Sequence, residues 1–178
     1  MTIEEKVEKM TFGSVFKSML PSVVVGTASA VGAQEVASHY TSNPEAITLA
    51  GMVSQYVGGW SAYLPSHLYN NRDRLIEDGK VKWREYAKDI GSIAVSDKVG
   101  SKIWAGAYGL ANDIALRHGI DPSVAGALSG LSSGTIYSAF TGYTAPKVNT
   151  IMNKAKDVVQ RFRTCDARPW TAPLETDK

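Results

Sequence analysis

A single cysteine, Cys165, excludes an intramolecular disulfide. No CxxC, no HExxH and no glycine-rich phosphate loop occurs, so the common signatures of zinc chemistry, dithiol redox chemistry and nucleotide binding are missing. Only His39, His67 and His118 could supply imidazole ligands; His39 and His118 are expected at the outer ends of the first and third long helices, interfacial rather than holding a haem. No metal and no cofactor is therefore expected. The net charge of +2 points neither to a nucleic-acid partner nor to an acidic tail. A more telling lack is that of charge over long stretches.

Pro122 to Pro146 holds 25 residues without one charged side chain. As a helix it would reach roughly 37 Å, enough to cross a hydrocarbon core of about 30 Å with some tilt. Within it Gly126, Gly130, Gly134, Ser138 and Gly142 recur at every fourth position and form a shallow ridge against which another helix can come close. A second charge-free run, 26 residues from Ala46 to Asn71, carries a similar ridge at Ala46, Ala50, Ser54, Gly58, Ala62 and Ser66, and offers the first a partner. The alternative is a soluble Gly/Ala-rich helix pair, which the mean hydropathy of −0.13 allows.

The distribution of cations sets an orientation. Arg117 alone falls in a short connection between long helices; the other lysines and arginines precede residue 18, lie between Arg72 and Lys102, or follow from Lys147 onward. By the positive-inside rule this predicts four crossings with both termini cytoplasmic in a cell membrane. A start at 1–17 mixing Glu4, Glu5 and Glu8 with Lys6, Lys9 and Lys17 reads as an amphipathic entry helix on the inner leaflet. Ala28 and Ala30 offer an A-x-A cleavage signal, but the leading segment is as acidic as basic and its pattern recurs mid-chain.

That recurrence appears at an offset of 78. Phe12-Gly13-Ser14-Val15 matches Ile90-Gly91-Ser92-Ile93, Gln34-Glu35 matches Asn112-Asp113, and Asn43-Pro44 matches Asp121-Pro122; at an offset of 80 the two ridges superimpose. The expectation is an all-α, polytopic membrane protein of one domain over 1–178. Its four transmembrane helices form two parallel-repeat hairpins, about 6–72 and 84–150, related by a pseudo-two-fold axis along the membrane normal, with amphipathic interfacial helices and a cytoplasmic tail at 151–178. The second lead segment, in which Trp83, Tyr86, Ile90, Ile93 and Asp97 share a stripe, is expected along the inner leaflet, followed by a short third crossing beginning at Ile103. The fourth helix is expected to stop at Pro146, with a separate amphipathic helix beyond it and an irregular end.

Two groups of residues could carry chemistry. Gln34, Glu35, Asn112 and Asp113 put an amide beside an acid at equivalent places; a carboxylate at a helix centre in lipid costs about 2.5–3.5 kcal/mol, so these form either a polar path or proton site, or a solvated outer rim. At the inner face, His67, Asn71, Arg72, Arg74 and Lys147 could take an anionic head group. Gly58, Gly126, Gly130 and Gly134 are the expected helix-packing positions.

The repeated order of small-residue helix with an acid, Asx-Pro outer turn, Ser/Gly-rich helix, then Asn71-Arg72 at the inner end resembles the GtrA-like family over about residues 12–150. Glu35 and Asp113 match the acid of that family's first and third helices. The aromatic residues around its Asn-Arg block are thin here, and the second copy has only Lys147 and Asn149 in its place. The resemblance implies a small four-helix membrane protein, not an enzyme, that binds or helps translocate a polyprenyl-phosphate-linked sugar or similar anionic lipid. Its implied partners are membrane lipids, a glycosyltransferase or other membrane subunit, or a second copy, and not nucleic acid. A small proton-coupled transporter or channel and a structural subunit of a larger complex are the alternatives.

Overall fold

The computed structural model describes residues 10–166, with side chains placed through residue 159. The expected lead helix at 1–17 falls largely outside them, as does the chain end. The described chain is all-helical apart from one small hairpin: α1 Phe12–Ser38, α2 Pro44–Asn70, α3 Arg72–Leu75, β1 Ile76–Glu77, β2 Lys80–Val81, α4 Trp83–Arg117 and α5 Pro122–Asp166.

Local sequence accounts for most of the boundaries. Thr11 and Ser14 cap α1 reciprocally, each hydroxyl accepting from the other's backbone N–H at 3.2 Å. Asn43 Oδ1 accepts from Glu45 N at the start of α2, and Asp121 Oδ1 accepts from Ser123 N at the start of α5, each at 2.9 Å. In both cases a proline follows the cap, where its missing N–H costs nothing. Between α3 and α4 the hairpin pairs Ile76 with Val81 and Glu77 with Lys80; Asp78 and Gly79 both take positive φ (49° and 72°), the turn that a right-twisted two-residue hairpin demands.

Two helices run further than expected. The lead segment does not lie apart on a leaflet but continues straight into the third long helix as α4. Asp89, Ile93, Ser96, Asp97, Gly100, Trp104, Tyr108 and Asn112 are buried at near-helical spacing, and no proline breaks the run, so one continuous stripe faces the bundle. Likewise α5 passes through Pro146 instead of ending there. A proline in a helix interior costs about 3 kcal/mol, but both flanks are held: Ala145 is fully buried and Asn149 donates to Asp89.

The helices form a ring in the order α2, α1, α5, α4. α1 packs along its length on both α2 and α5, and α5 along α4, while α4 meets α2 only sparsely. The two ridges therefore do not meet each other. Positions at Gly126, Gly130 and Gly134 of α5 abut Gln34, Thr27 and Val23 of α1, and Gly58 of α2 abuts Ser29 of the same helix. α1 is the common partner because it is the helix lying between the two ridges.

Polarity is distributed unusually. Thr27, Gln34, Thr48, Gln55, Ser129, Ser133, Ser138 and Thr141 are buried, whereas Leu20, Val24, Leu49, Val53, Val57, Val99, Leu110, Leu128 and Ile136 are exposed. Among the described residues, one helix, Phe12–Ser38, is by length and composition long and apolar enough to cross a membrane.

Candidate functional site

At the end of the bundle expected to face outward, where α1 turns into α2 and α4 into α5, the structure separates each amide from its neighbouring acid. Gln34 and Asn112 are fully buried; Gln34 Nε2 donates to the Tyr108 hydroxyl and Asn112 Nδ2 to Thr48 Oγ1, each at 2.9 Å. Glu35 is exposed and accepts from Ser123 Oγ at 2.6 Å. Asp113 is half-buried and accepts from Arg117 Nε at 2.7 Å, and Arg117 reaches Glu45 at 3.3 Å. Hydrogen bonding and the charge of Asp113 raise the Arg117 guanidinium above its ordinary value. Adjacent helical residues lie about 100° apart, so only one of each amide-acid pair can face inward.

The opposite end, expected to face inward, gathers some of the expected head-group residues around a partner that sequence reasoning missed. Asp89 accepts from His67 Nε2 at 3.0 Å, from Arg74, and from Asn149 Nδ2 at 3.3 Å. The Tyr63 hydroxyl lies 2.9 Å from His67 Nδ1, and Asn71 Nδ2 donates to the His67 carbonyl at 2.8 Å. With Asp89 ionised, His67 carries its proton on Nε2 and, when neutral, accepts from Tyr63 on Nδ1. Burial alone would raise the Asp89 carboxyl, but hydrogen bonds from His67 and Arg74, together with the Arg74 charge, outweigh it and hold the group below its ordinary 3.8. This cluster ties α2, the α3 turn, α4 and α5 together. Arg72 and Lys147 stand outside it. The Arg72 guanidinium lies 5.0 Å over the Tyr69 ring and 3.8 Å from Asp73, and Lys147 Nζ lies 3.6 Å over the Tyr143 ring.

Between these ends, α2 and α4 part around a cleft of about 520 Å³, open mouth included. Its walls are Met19, Ser22 and Val23 from α1, Gln55, Tyr56, Gly59, Trp60 and Tyr63 from α2, Ile93 and Trp104 from α4, and Gly134, Tyr137 and Ser138 from α5. Two wall residues lead to a buried carboxylate. Tyr56 Oη donates to Asp97 Oδ2 at 2.7 Å and Tyr137 Oη donates to Asp97 Oδ1, while Asp97 itself is 6% exposed. Among the described residues no lysine, arginine or histidine comes within ion-pair distance of it. Along α4, Asp97 lies roughly 21 Å from the first turn and 30 Å from the last. The sequence carried one signal for it, an acid closing an otherwise apolar stripe that begins at Trp83.

Among the described residues no three His, Cys, Asp or Glu side chains group as a metal site would. No protein-family model, curated protein or solved structure matches this chain.

Proposed function

We propose that the protein is a multi-pass membrane protein whose four long helices cross the bilayer and whose cleft between α2 and α4 receives an amphiphilic molecule from the lipid. The observation that carries this reading is the inverted polarity of the bundle: hydroxyl and amide side chains inside, large aliphatic side chains outside. In water such an outer surface would be one broad apolar patch. In lipid it is the expected surface, and inward polar groups joined across helices become the source of association. On this reading the spans are α1, α2, α4 from about Ile93 to Asn112, and α5 to about Pro146.

Two further features support it. Tyr69 with Arg72, and Tyr143 with Lys147, form aromatic-cation pairs at the same end of α2 and α5, where an interfacial belt would anchor them. The Glu35, Asp113 and Arg117 rim belongs at the opposite interface. Lys98 and Lys102 are exposed midway along α4, and a cation at that depth in hydrocarbon costs about 2.5–3.5 kcal/mol. The reading therefore requires water or a second chain beside this stretch.

A polyprenyl-phosphate or similar anionic lipid is the second reading, favoured by the exposed cations Arg72 and Lys147 at the inner end. Arg74 is less suited to a phosphate, because it is committed to Asp89.

In a Cys165→Ser background, Ser42→Cys and Ile120→Cys are expected to label from outside and Gly79→Cys only after permeabilisation. Reversed labelling would invert the orientation; recovery of the chain from the soluble fraction would remove the membrane reading. Loss of anionic-lipid co-purification in Arg72→Gln/Lys147→Gln would support the second reading, and unchanged co-purification would sink it.

A further inference from the structure

The donors and acceptors of the cleft specify a ligand class, an inference that rests on the amphiphile-binding function proposed above. Its tyrosines have their hydroxyls already engaged in hydrogen bonds: Tyr56 and Tyr137 donate to Asp97, and Tyr63 pairs with His67. Gln55 donates Nε2 to the Gly130 carbonyl at 3.0 Å. Two acceptors remain on the wall. Gln55 Oε1, which can only accept, and Ser22 Oγ, which can accept or donate, are buried and without a partner, an arrangement that is unfavourable unless something fills it. Behind Tyr56 and Tyr137 stands an anion without a counter-cation, and the rings of Tyr56, Trp60, Trp104 and Tyr137 offer faces that attract positive charge.

An anionic head group would meet negative charge here, and a neutral carbonyl compound could take the free Ser22 hydroxyl but would leave the Gln55 oxygen and the Asp97 charge unused. A protonated amine satisfies all three features at once. We propose that the cleft binds an amphiphilic ammonium, its N–H groups reaching Gln55 Oε1 and Ser22 Oγ, its charge balanced by Asp97, and its tail lying along Trp60, Trp104 and Met19. Lys98 and Lys102 do not oppose this, because they lie about 100° and 140° around α4 from the buried Asp97 and are exposed.

The test titrates octylamine, octanol and octanoate into the full-length protein in nanodiscs of neutral lipid at neutral pH, read by tryptophan fluorescence and by thermal stability. Octylamine is expected to bind saturably, with octanol and octanoate at least about tenfold weaker, a difference of about 1.4 kcal/mol. Asp97→Asn keeps one tyrosine as a donor to Oδ1 and can hold the other by Nδ2 donating to its phenol oxygen, and should weaken octylamine at least about tenfold, while Gln55→Leu should weaken it less. Leu128→Ile, on the outer face, should change nothing. Equal binding of octanol or octanoate, full octylamine affinity in a folded Asp97→Asn, or absence of saturable binding would each overturn the proposal. Should Asp97→Asn fail to fold, full affinity in Gln55→Leu would overturn it. These outcomes leave the topology untouched, since a membrane-integrated chain with outward-labelling Ser42→Cys and no octylamine site loses only the ammonium assignment.

Discussion

The seam where α1 meets its neighbours is closed along its length, whereas α4 and α2 meet sparsely, pinned at the two ends of their seam and bridged between them by the Tyr56 side chain reaching Asp97. One pair of glycines measures the difference. A Cβ on Gly26 of α1 would lie 2.8 Å from the Gln55 carbonyl oxygen of α2, closer than packed atoms come; a Cβ on Gly109 of α4 would meet nothing nearer than Met52 Sδ at 3.7 Å. At the sequence offset of 78, Gly26 is paired with Trp104 and Ala30 with Tyr108. Small residues let α1 and α2 touch backbone to backbone, and the aromatic residues at the corresponding places of α4 hold it away from α2. The pins are polar: His67 with Asp89 at the inner end, Thr48 with Asn112 at the outer end. Similar halves thus make a closed seam and a cavity by exchanging two small side chains for two large ones.

The largest effect should come from releasing the inner pin. Asp89→Asn leaves Arg74 and His67 without their anion, and removing one partner of a buried pair costs about 3–5 kcal/mol. Because the Arg74 side chain is 14% exposed, the lower end of that range is expected. Thermal unfolding in mild detergent measures it, and Asp89→Asn/Arg74→Gln should recover part of the loss. The same pin predicts a dependence on acid. The Asp89 carboxyl is held below its ordinary 3.8 in the fold, so its contribution is present above about pH 3.8 and is lost as pH falls through the folded value. The wild type should lose stability over that interval by a component that Asp89→Asn lacks; identical acid profiles would remove Asp89 from the account.

The seams themselves should respond with opposite sign to one substitution. Gly26→Ala forces a methyl against backbone and should cost about 1–3 kcal/mol, as overpacking does. Gly109→Ala meets only ordinary contact and relieves a glycine within a helix, so a gain of about 0.5–1 kcal/mol is expected. Equal losses at both positions would mean that the open seam is packed as tightly as the closed one.

How much of this could be read from the chain depends on how far apart the interacting residues lie. The two Asx-Pro starts, the Asp78-Gly79 turn and the long charge-free helices are local patterns, and local rules place them. The length of α4 was hidden because Lys98 and Lys102 interrupt the hydropathy, although they occupy the outer face and leave the buried stripe intact. Pro146 looked like a terminus because a proline's local penalty is visible in sequence and the tertiary contacts that outweigh it are not. The inner cluster draws His67, Arg74, Asp89 and Asn149 from four separate elements, and nothing in spacing announces that Asp89 is their common acceptor. In the sequence Asp97 reads as part of a surface stripe; only the proximity of Tyr56 and Tyr137 gives it a role.

At the opposite end each amide-acid pair splits between inside and outside, so the buried amide should match the closed seam in cost and the rim acids should show the smallest effects. Asn112→Ala removes the donor to Thr48 from a fully buried site and should cost about 1–3 kcal/mol. Glu35→Gln and Asp113→Asn preserve shape at rim positions, Gln still accepting from Ser123 and Asn from Arg117, so each should move the melting temperature by less than about 2 °C. If the titrating path of a proton-coupled carrier ran through these acids, the same swaps would abolish pH-driven flux in liposomes while leaving the fold intact. That sensitivity is expected at Asp97 instead, because Asp97 is shielded from bulk solvent and Glu35 is open to it, while the buried amides of Gln34 and Asn112 do not ionise. Flux lost on Glu35→Gln and retained on Asp97→Asn would reverse that assignment and move the functional centre from the cleft to the outer rim.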